Sequence, residues 1–141
     1  MPSCKNATAK QSAGFTLTEI LVAVAIVAIL ASIAIPAYKS YMLTVRRADA
    51  HSALTMFSMA MERQYIQDGR YDSVSTVADI YADQSEHGFY NLEIMTMAPT
   101  SYVLQAVPTG DQANDTGCGT LRLDYLGNKT ATGTLGNAAC W

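Results

Sequence analysis

Hydrophobic residues are concentrated in one continuous segment near the start of the chain. Residues 20–35 read ILVAVAIVAILASIAI, with no charged residue and a single hydroxyl group, that of Ser32. Extended back to Phe15, the segment has 21 residues. A helix of that length is about 31 Å long, close to the ~30 Å hydrocarbon core of a bilayer. The pattern therefore predicts a helix that spans a membrane or lies in an apolar core.

The helical pattern continues beyond Pro36, where apolar positions recur every three or four residues. A proline inside a helix removes one backbone hydrogen bond, so we expect a kink at Pro36 and an amphipathic half of the helix over residues 38–68. Asp68-Gly69 is a typical end for this helix, because glycine is common just after a helix C-terminus. One stripe of this half consists of Tyr38, Tyr41, Met42, Val45, Ala48, Ser52, Met56 and Met59.

A second apolar stripe follows the first on the same helix. Leu54, Phe57 and Met61 make residues 53–61 apolar on almost all sides. We expect burial against a sheet on one side and against neighbouring helices on the other. The charged residues expected on the helix surface are Arg46, Arg47, Asp49, Glu62 and Arg63.

The rest of the chain, residues 69–141, contains the alternation of apolar and polar residues that is typical of strands. Tyr90, Leu92 and Ile94 alternate with polar residues, which predicts a sheet with one face in water. The predicted elements are a surface connection at 70–88 with a helical turn at 77–81, and strands at 90–96, 102–107, 120–125 and 129–132. The predicted fold class is α+β, with the long N-terminal helix packed on an antiparallel sheet of about four strands.

Composition and charge exclude several functional classes. Half of the residues are apolar and 15% are charged, which excludes a disordered charged tail. The net charge of −3 gives no reason to expect a nucleic-acid partner. The sequence has no zinc-ligand spacing, nucleophile elbow or glycine-rich phosphate loop, so we predict no catalytic site, no metal and no cofactor. His51 and His87 are expected to be surface or interface residues.

A short hydrophilic leader, residues 1–14, precedes the apolar segment and carries two lysines but no acidic residue. A basic stretch before an apolar run is also typical of a secretory signal peptide. Ordinary cleavage after residues 32–34 would release a periplasmic binding protein or enzyme. This alternative is disfavoured because Glu19 interrupts the start of an unusually long apolar run. A carboxylate in lipid costs about 2 to 3 kcal/mol unless it has a partner, so Glu19 is a candidate functional residue.

The chain contains three cysteines, Cys4, Cys118 and Cys140. Removal of the leader would leave an even pair, which predicts a C-terminal loop closed by a Cys118–Cys140 disulfide in an oxidising compartment. Two buried free thiols are the alternative. The flanking positive charges do not settle the orientation in a membrane, so the cysteines are the reason to expect a periplasmic C-terminal domain.

Residues 14–19, GFTLTE, are followed at once by the apolar run and resemble the N-terminus of a type IV prepilin. The family pattern is a short basic leader, a glycine at the cleavage site, a phenylalanine that becomes the first residue and a glutamate four positions later. Pro36 stands where the family has its helix-perturbing proline. The C-terminal part, up to Cys140-Trp141, is similar to PilE-type minor pilins, in which two cysteines close the C-terminal loop.

The resemblance implies that a prepilin peptidase removes residues 1–14 by cutting between Gly14 and Phe15, and methylates the new amine. Residues 15–37 would then form the membrane-spanning or fibre-core half of the helix, in which the amine of one subunit neutralises Glu19 of its neighbour. The implied function is that of a non-enzymatic minor subunit of a type IV pilus that helps to prime assembly. It would lie in the bacterial inner membrane before it enters the surface fibre.

The implied partners are other major and minor pilins, the prepilin peptidase and the inner-membrane assembly platform. A major pilin, a pseudopilin and a DNA-uptake receptor are the alternatives within this class. Without the leader the net charge is −5, and Arg122 and Lys129 are the only cations beyond Arg70. Phosphate binding depends on a local basic stripe, so the sequence argues against the DNA receptor.

Overall fold

The computed structural model describes residues 14–74 and 76–141. The predicted leader therefore lies outside the described residues, except for Gly14. The described residues divide into two compact units, one that ends at Tyr38 and one that comprises residues 39–141. In chain order the elements are helix α1 (Leu17–Asp68), a 3-10 helix (Val77–Asp79), β1 (Tyr90–Ala98), β2 (Ser101–Pro108), a second 3-10 helix (Gly110–Asn114), β3 (Leu121–Asp124), β4 (Lys129–Ala131) and the short helix α2 (Asn137–Cys140).

Helix α1 is continuous and includes Pro36. It is long and apolar enough over its first part to cross a membrane, and none of that apolar stretch is buried inside the protein. The helix ends at Asp68, as predicted, and Gly69 follows with a φ of 70° and donates its N–H to the Tyr65 carbonyl at 2.8 Å. This left-handed conformation favours glycine, which explains why the helix ends there.

The four strands form one antiparallel sheet in the order β1-β2-β3-β4. A bulge at Met95 interrupts the β1–β2 register, in which Tyr90 pairs with Pro108 and Ala98 pairs with Ser101. Each strand includes most of the range predicted for it, and the observed 3-10 turn at residues 77–79 lies within the predicted helical turn. The predicted fold class is confirmed.

Hydrogen bonds also occupy backbone groups on the two outermost strands. On β1, Leu92 donates its N–H to the Asp83 carbonyl at 2.8 Å, and the Tyr90 carbonyl accepts the N–H of Ser85 at 2.9 Å. On β4, Ala131 donates its N–H to Oδ1 of Asn137 at 2.9 Å. Short neighbouring segments thus cover part of each outer strand.

Within residues 39–141, the core lies between the inner face of the sheet and one stripe of α1. Leu54, Phe57 and Met61 are fully buried there, as predicted for the second stripe. The first stripe faces away from this core, and Met56 and Met59 are more than half exposed. The largest fully buried apolar residues of the sheet and the disulfide are Tyr90, Leu104, Leu121, Cys118 and Cys140.

Two surface predictions for α1 are wrong, since Arg47 is buried and the Asp49 side chain is only 6% exposed. Arg47 is buried, although Arg46 and Glu62, its neighbours in the predicted surface set, are at least partly exposed. Arg47 lies on the same helix face as Ala50 and Leu54, three and seven residues further on, and therefore points into the domain. The reason that this position tolerates a charge is its partner, described below.

Candidate functional site

The apolar surface of α1, defined as residues 15–35, is the largest unpartnered hydrophobic feature of the described chain. Its twelve large apolar side chains are exposed by between 50% (Ile20) and 80% (Leu17). Soluble proteins rarely expose a continuous apolar surface of this size, and such surfaces mark contact with lipid or with other proteins. The interaction that this surface can make is burial in a bilayer or against other helices.

The predicted processing and assembly residues lie at the start of this surface. Gly14 precedes the helix, and Phe15 is 78% exposed. Glu19 belongs to the first turn, where its N–H donates to the Thr16 carbonyl at 3.1 Å and to Thr16 Oγ1 at 3.3 Å. Phe15 and Glu19 are four residues apart, about one helical turn, so an amine on Phe15 would lie near this carboxylate. The roles of these residues remain predictions.

Within residues 39–141, an ion pair fixes the chain segment between β2 and β3 to α1. Arg47 Nε donates to Asp115 Oδ2 at 2.7 Å and Arg47 Nη2 donates to Asp115 Oδ1 at 2.8 Å, with the two side chains 10% and 3% exposed. The hydrogen bond and the charge of Asp115 raise the pKa of Arg47, although burial opposes them. Such a bidentate pair fixes both position and orientation.

Gln112, in the second 3-10 helix, makes further hydrogen bonds that hold the β2–β3 connection to α1. Its fully buried amide group donates to the Leu43 carbonyl at 3.0 Å and to the Tyr90 hydroxyl at 2.9 Å. Burial is the main cause that raises the pKa of Tyr90 to about 12. These contacts join α1, β1 and the β2–β3 connection.

The predicted disulfide is present and links Cys118 to Cys140. Cys140 ends α2, and its carbonyl accepts a hydrogen bond from Nε2 of His51 at 2.8 Å. The His51 ring also stacks on Trp141, with ring centroids 4.7 Å apart. Burial lowers the pKa of His51, and the charges of Lys129 and Arg47 lower it further. The C-terminal segment is therefore held to α1 by several independent contacts.

Glu62 lies near the C-terminal end of α1 and joins this end of the helix to the sheet. Its carboxylate accepts hydrogen bonds from the hydroxyl of Tyr71 at 3.0 Å and from that of Tyr102 at 2.9 Å. Burial and the Glu62 carboxylate raise the pKa of Tyr71 to about 12, and the same two causes raise the pKa of Tyr102.

The structure brings together residues that the sequence reading did not connect. Arg47 and Asp115 are 68 positions apart, and Asp115 is not among the candidate residues predicted from the sequence. The sequence does contain a signal for the burial of Arg47, since its spacing to Ala50 and Leu54 is that of a buried helix face. No comparable local signal marks Asp115. Among residues 14–74 and 76–141, no group of His, Cys, Asp and Glu side chains is suited to hold a metal.

Two family models match the chain. Residues 36–122 match the family described as type IV minor pilin ComP, DNA uptake sequence receptor. Residues 9–35 match the prokaryotic N-terminal methylation motif, which agrees with the resemblance of residues 14–19 to a prepilin.

Similar curated proteins are also pilins. The chain is 32% identical to the type IV major pilin protein PilE of Neisseria gonorrhoeae over 57% of its own length and 48% of that protein. It is 32% identical to the fimbrial protein EcpC of Eikenella corrodens over 66% of its own length and 60% of that protein. The chain thus spans about half the length of the first of these relatives.

Solved structures show the same fold. The non-core minor pilin PilV of Neisseria meningitidis is 25% identical, with a TM-score of 0.57 over 67% of this chain and 91% of that one. A type IV pilin from Shewanella oneidensis is 29% identical, with a TM-score of 0.50 over 70% of this chain and 97% of that one. These relatives are structural, non-enzymatic proteins. The apolar helix, the disulfide-closed sheet and the matched family models agree: this chain belongs to the ComP family of type IV minor pilins.

Proposed function

We propose that this chain is a minor structural subunit of a type IV pilus and joins the fibre through the apolar surface of α1. The observation that carries the proposal is the exposure of that surface, at least 50% for every large apolar side chain. Exposure on this scale has a large free-energy cost in water, because each buried large apolar side chain contributes about 1.5 to 3 kcal/mol. Lipid before assembly and other pilin helices after it would remove that cost.

Processing at Gly14 and Phe15 is part of the proposal. The methylation-motif match supports cleavage by a prepilin peptidase and methylation of the new amine. The amine of one subunit would then neutralise Glu19 of its neighbour, and the pair would set the register of the fibre. A paired charge in an apolar core is costly to break, and an unpaired charge is costly to keep, so register depends on the pair.

The proposed location is the bacterial inner membrane first, with residues 39–141 in the periplasm, and the pilus afterwards. The Cys118–Cys140 disulfide supports this orientation, since structural disulfides form in oxidising compartments such as the periplasm. The inner-membrane assembly platform is the proposed partner during transfer. Pro36 is proposed to weaken α1 locally, because its ring leaves the carbonyl four residues earlier without a helical donor.

Mass spectrometry of the protein from sheared pili and from membranes tests the proposal. The expected mature protein begins at Phe15 and carries one extra methyl group on its amine. A mature protein that begins near Ile35 would instead support ordinary signal cleavage and a soluble periplasmic protein. Recovery of the chain from membranes but never from pili would contradict its role as a fibre subunit.

A DNA receptor is a second candidate, because the matched family is described as a DNA uptake sequence receptor. Arg122 and Lys129 lie on the neighbouring strands β3 and β4 and are the cations of the sheet. The Asp124 side chain lies close to both in sequence, and its carboxylate binds the N–H groups of Leu126 and Asn128 at 2.9 and 2.8 Å. The local charge is therefore mixed, and the minor structural subunit remains our preferred function.

Fluorescence anisotropy with labelled duplex DNA and the full chain in nonionic detergent separates the two candidates. A DNA receptor would bind with a strong dependence on salt between about 50 and 200 mM, and Arg122→Ala with Lys129→Ala would weaken binding. Arg70→Ala is the matched control, because Arg70 is already paired with Asp72. The absence of salt-dependent binding would leave the structural role alone.

A further inference from the structure

His87 is the residue through which the connection before β1 contacts helix α1. Its ring Nδ1 lies 3.0 Å from Oδ1 of Asp49, and its backbone N–H donates to the same oxygen at 3.4 Å. The two side chains differ in their surroundings, since the Asp49 side chain is 6% exposed and that of His87 is 65% exposed. A buried carboxylate on the helix thus meets a histidine that remains open to solvent.

An aromatic contact supports the same pair. The His87 ring stacks on Phe89, with centroids 6.0 Å apart and planes 10° from parallel. The Arg46 guanidinium lies 4.6 Å from the centroid of the Phe89 ring. The charged groups that act on His87 are therefore Asp49 on α1 and Glu86 on its own segment, and Arg46 of α1 lies against the neighbouring Phe89 ring.

The segment held by this contact, residues 83–89, is part of the sheet edge. Leu92 donates its N–H to the Asp83 carbonyl at 2.8 Å, and Ser85 donates its N–H to the Tyr90 carbonyl at 2.9 Å. Within the segment, Gly88 donates its N–H to the Ser85 carbonyl at 2.9 Å. A change in the strength of the Asp49–His87 contact would therefore change how firmly these amides are protected.

We propose that Asp49 and His87 form a pH-dependent latch that holds residues 83–89 against α1 and tightens as the surrounding medium becomes more acidic. In acid the contact is an ion pair between a carboxylate and an imidazolium. In alkaline medium it is reduced to a hydrogen bond from a neutral ring. The latch is independent of the apolar surface of α1 and of the proposed fibre role.

The pKa shifts of His87 and Asp49 both favour the charged form of the residue. The hydrogen bond to Asp49 and its charge raise the pKa of His87 above its ordinary value, although desolvation opposes them. Burial raises the pKa of Asp49, but the Ser85 and His87 side chains outweigh burial and lower it overall. A histidine whose pKa is raised by folding contributes its stabilisation below a pH of about 6.5 and loses it as the pH rises through the folded value.

Hydrogen–deuterium exchange of the full chain in detergent micelles tests the latch. Exchange of the Ser85, Gly88 and Leu92 amides is measured at pH values of about 5.5 and 8.5 and corrected for intrinsic rates. We expect about two- to five-fold greater protection at the lower pH, the size typical of an exposed ion pair. His87→Gln keeps a polar side chain but cannot titrate, so its protection should not rise at the lower pH.

His51→Gln is the matched control, because it removes the chain's other histidine, which contacts Cys140 instead. This variant should keep the pH dependence of residues 83–89. Equal protection at both pH values in the wild type, or an unchanged pH dependence in His87→Gln, would overturn the latch. An NMR titration gives an independent measurement, in which Asp49→Asn should return the pKa of His87 toward its ordinary value. An unaltered titration in that variant would also contradict the proposal.

Discussion

The Arg47 guanidinium and the Asp115 carboxylate form a bidentate ion pair, with N–O distances of 2.7 and 2.8 Å, inside the second unit of the chain. The pair joins the middle of α1 to the segment that leads into the disulfide at Cys118. Arg47 Nη1 also donates to the Ala139 carbonyl at 3.4 Å, so one side chain contacts a residue shortly before Cys118 and the residue just before Cys140. The pair therefore organises the region in which the C-terminal segment meets the helix.

Arg47→Met should lower the free energy of unfolding by about 3 kcal/mol, because it leaves the Asp115 carboxylate buried without a charged partner, with only the Gln112 amide to donate to it at 3.3 Å. The double variant Arg47→Met/Asp115→Leu should recover part of this loss, since no charge is then buried. Chemical denaturation of the full chain in mild detergent, followed by Trp141 fluorescence, measures both. Arg70→Met is the control and should change little, because the Arg70–Asp72 pair is on the surface. A loss in Arg47→Met as small as in the control would contradict a structural role for the buried pair.

The Cys118→Ser/Cys140→Ser variant should lose about 3 kcal/mol of stability, because the open loop has more conformational freedom in the unfolded chain. Reduction of the wild type by dithiothreitol should give the same loss in the denaturation midpoint, and reduction of the variant should have no effect. Equal stability of the oxidised and reduced wild type would show that the noncovalent contacts of the C-terminal segment are sufficient.

The tyrosines that contact Glu62 should make the protein sensitive to alkali. Tyr71 has a pKa raised to about 12, so its contribution to stability is present below about pH 10 and lost as the pH rises through the folded value. Tyr71→Phe should cost about 1 kcal/mol at neutral pH and make the alkaline loss shallower. Denaturation midpoints between about pH 8 and 12 measure this. Tyr41→Phe, at a side chain that is 65% exposed, should behave like the wild type.

His51 should have the opposite pH dependence to His87. Its pKa is lowered by burial and by the nearby cations, so its contribution is present above a pH of about 6.5 and lost as the pH falls through the folded value. His51→Gln should remove this acid-induced loss. Trp141 is the only tryptophan of the chain and stacks on His51, so its fluorescence reports the contact directly. Identical acid titrations of the wild type and the variant would exclude the effect.

Glu19→Ala should be cleaved normally but should enter pili poorly, because the amine of a neighbouring subunit would then lack its partner. The ratio of mature protein in sheared pili to that in membranes measures this, and we expect at least a several-fold decrease. Glu93→Ala is the matched control, since Glu93 lies on the water-facing side of the sheet and binds Gln105. Normal incorporation of Glu19→Ala into pili would contradict the proposed role of Glu19 in setting the register of the fibre.

The sequence predicted the elements whose signal is local. Sixteen uncharged residues and the spacing of Leu54, Phe57 and Met61 predicted both halves of α1, and alternation predicted β1 and β3. The conformation of the β3–β4 connection depends on a side-chain contact that alternation does not reveal. The β3–β4 connection has four residues, and the Asp124 carboxylate binds the N–H groups of Leu126 and Asn128 within it.

Contacts between distant segments were harder to predict. Arg47 was placed on the surface because a charged residue in a helix is usually solvated. Its partner Asp115 is 68 positions away in the chain, so no local pattern indicates the pair. Helix α2 has four residues, too few for a recognisable period. The His51–Trp141 and Asp49–His87 contacts were missed for the same reason, since tertiary packing decides them.

The hydrogen bonds on the two outer strands also affect whether molecules of this chain aggregate through their sheets. Unpaired strand backbone is a template on which another molecule can add its own strand, the usual start of aggregation. Asn137 already binds the Ala131 N–H, and residues 83–85 already bind the start of β1. At these positions a second molecule therefore meets strand N–H groups that are already occupied. Amyloid-like stacking is disfavoured there, while ordered growth through the helices stays open.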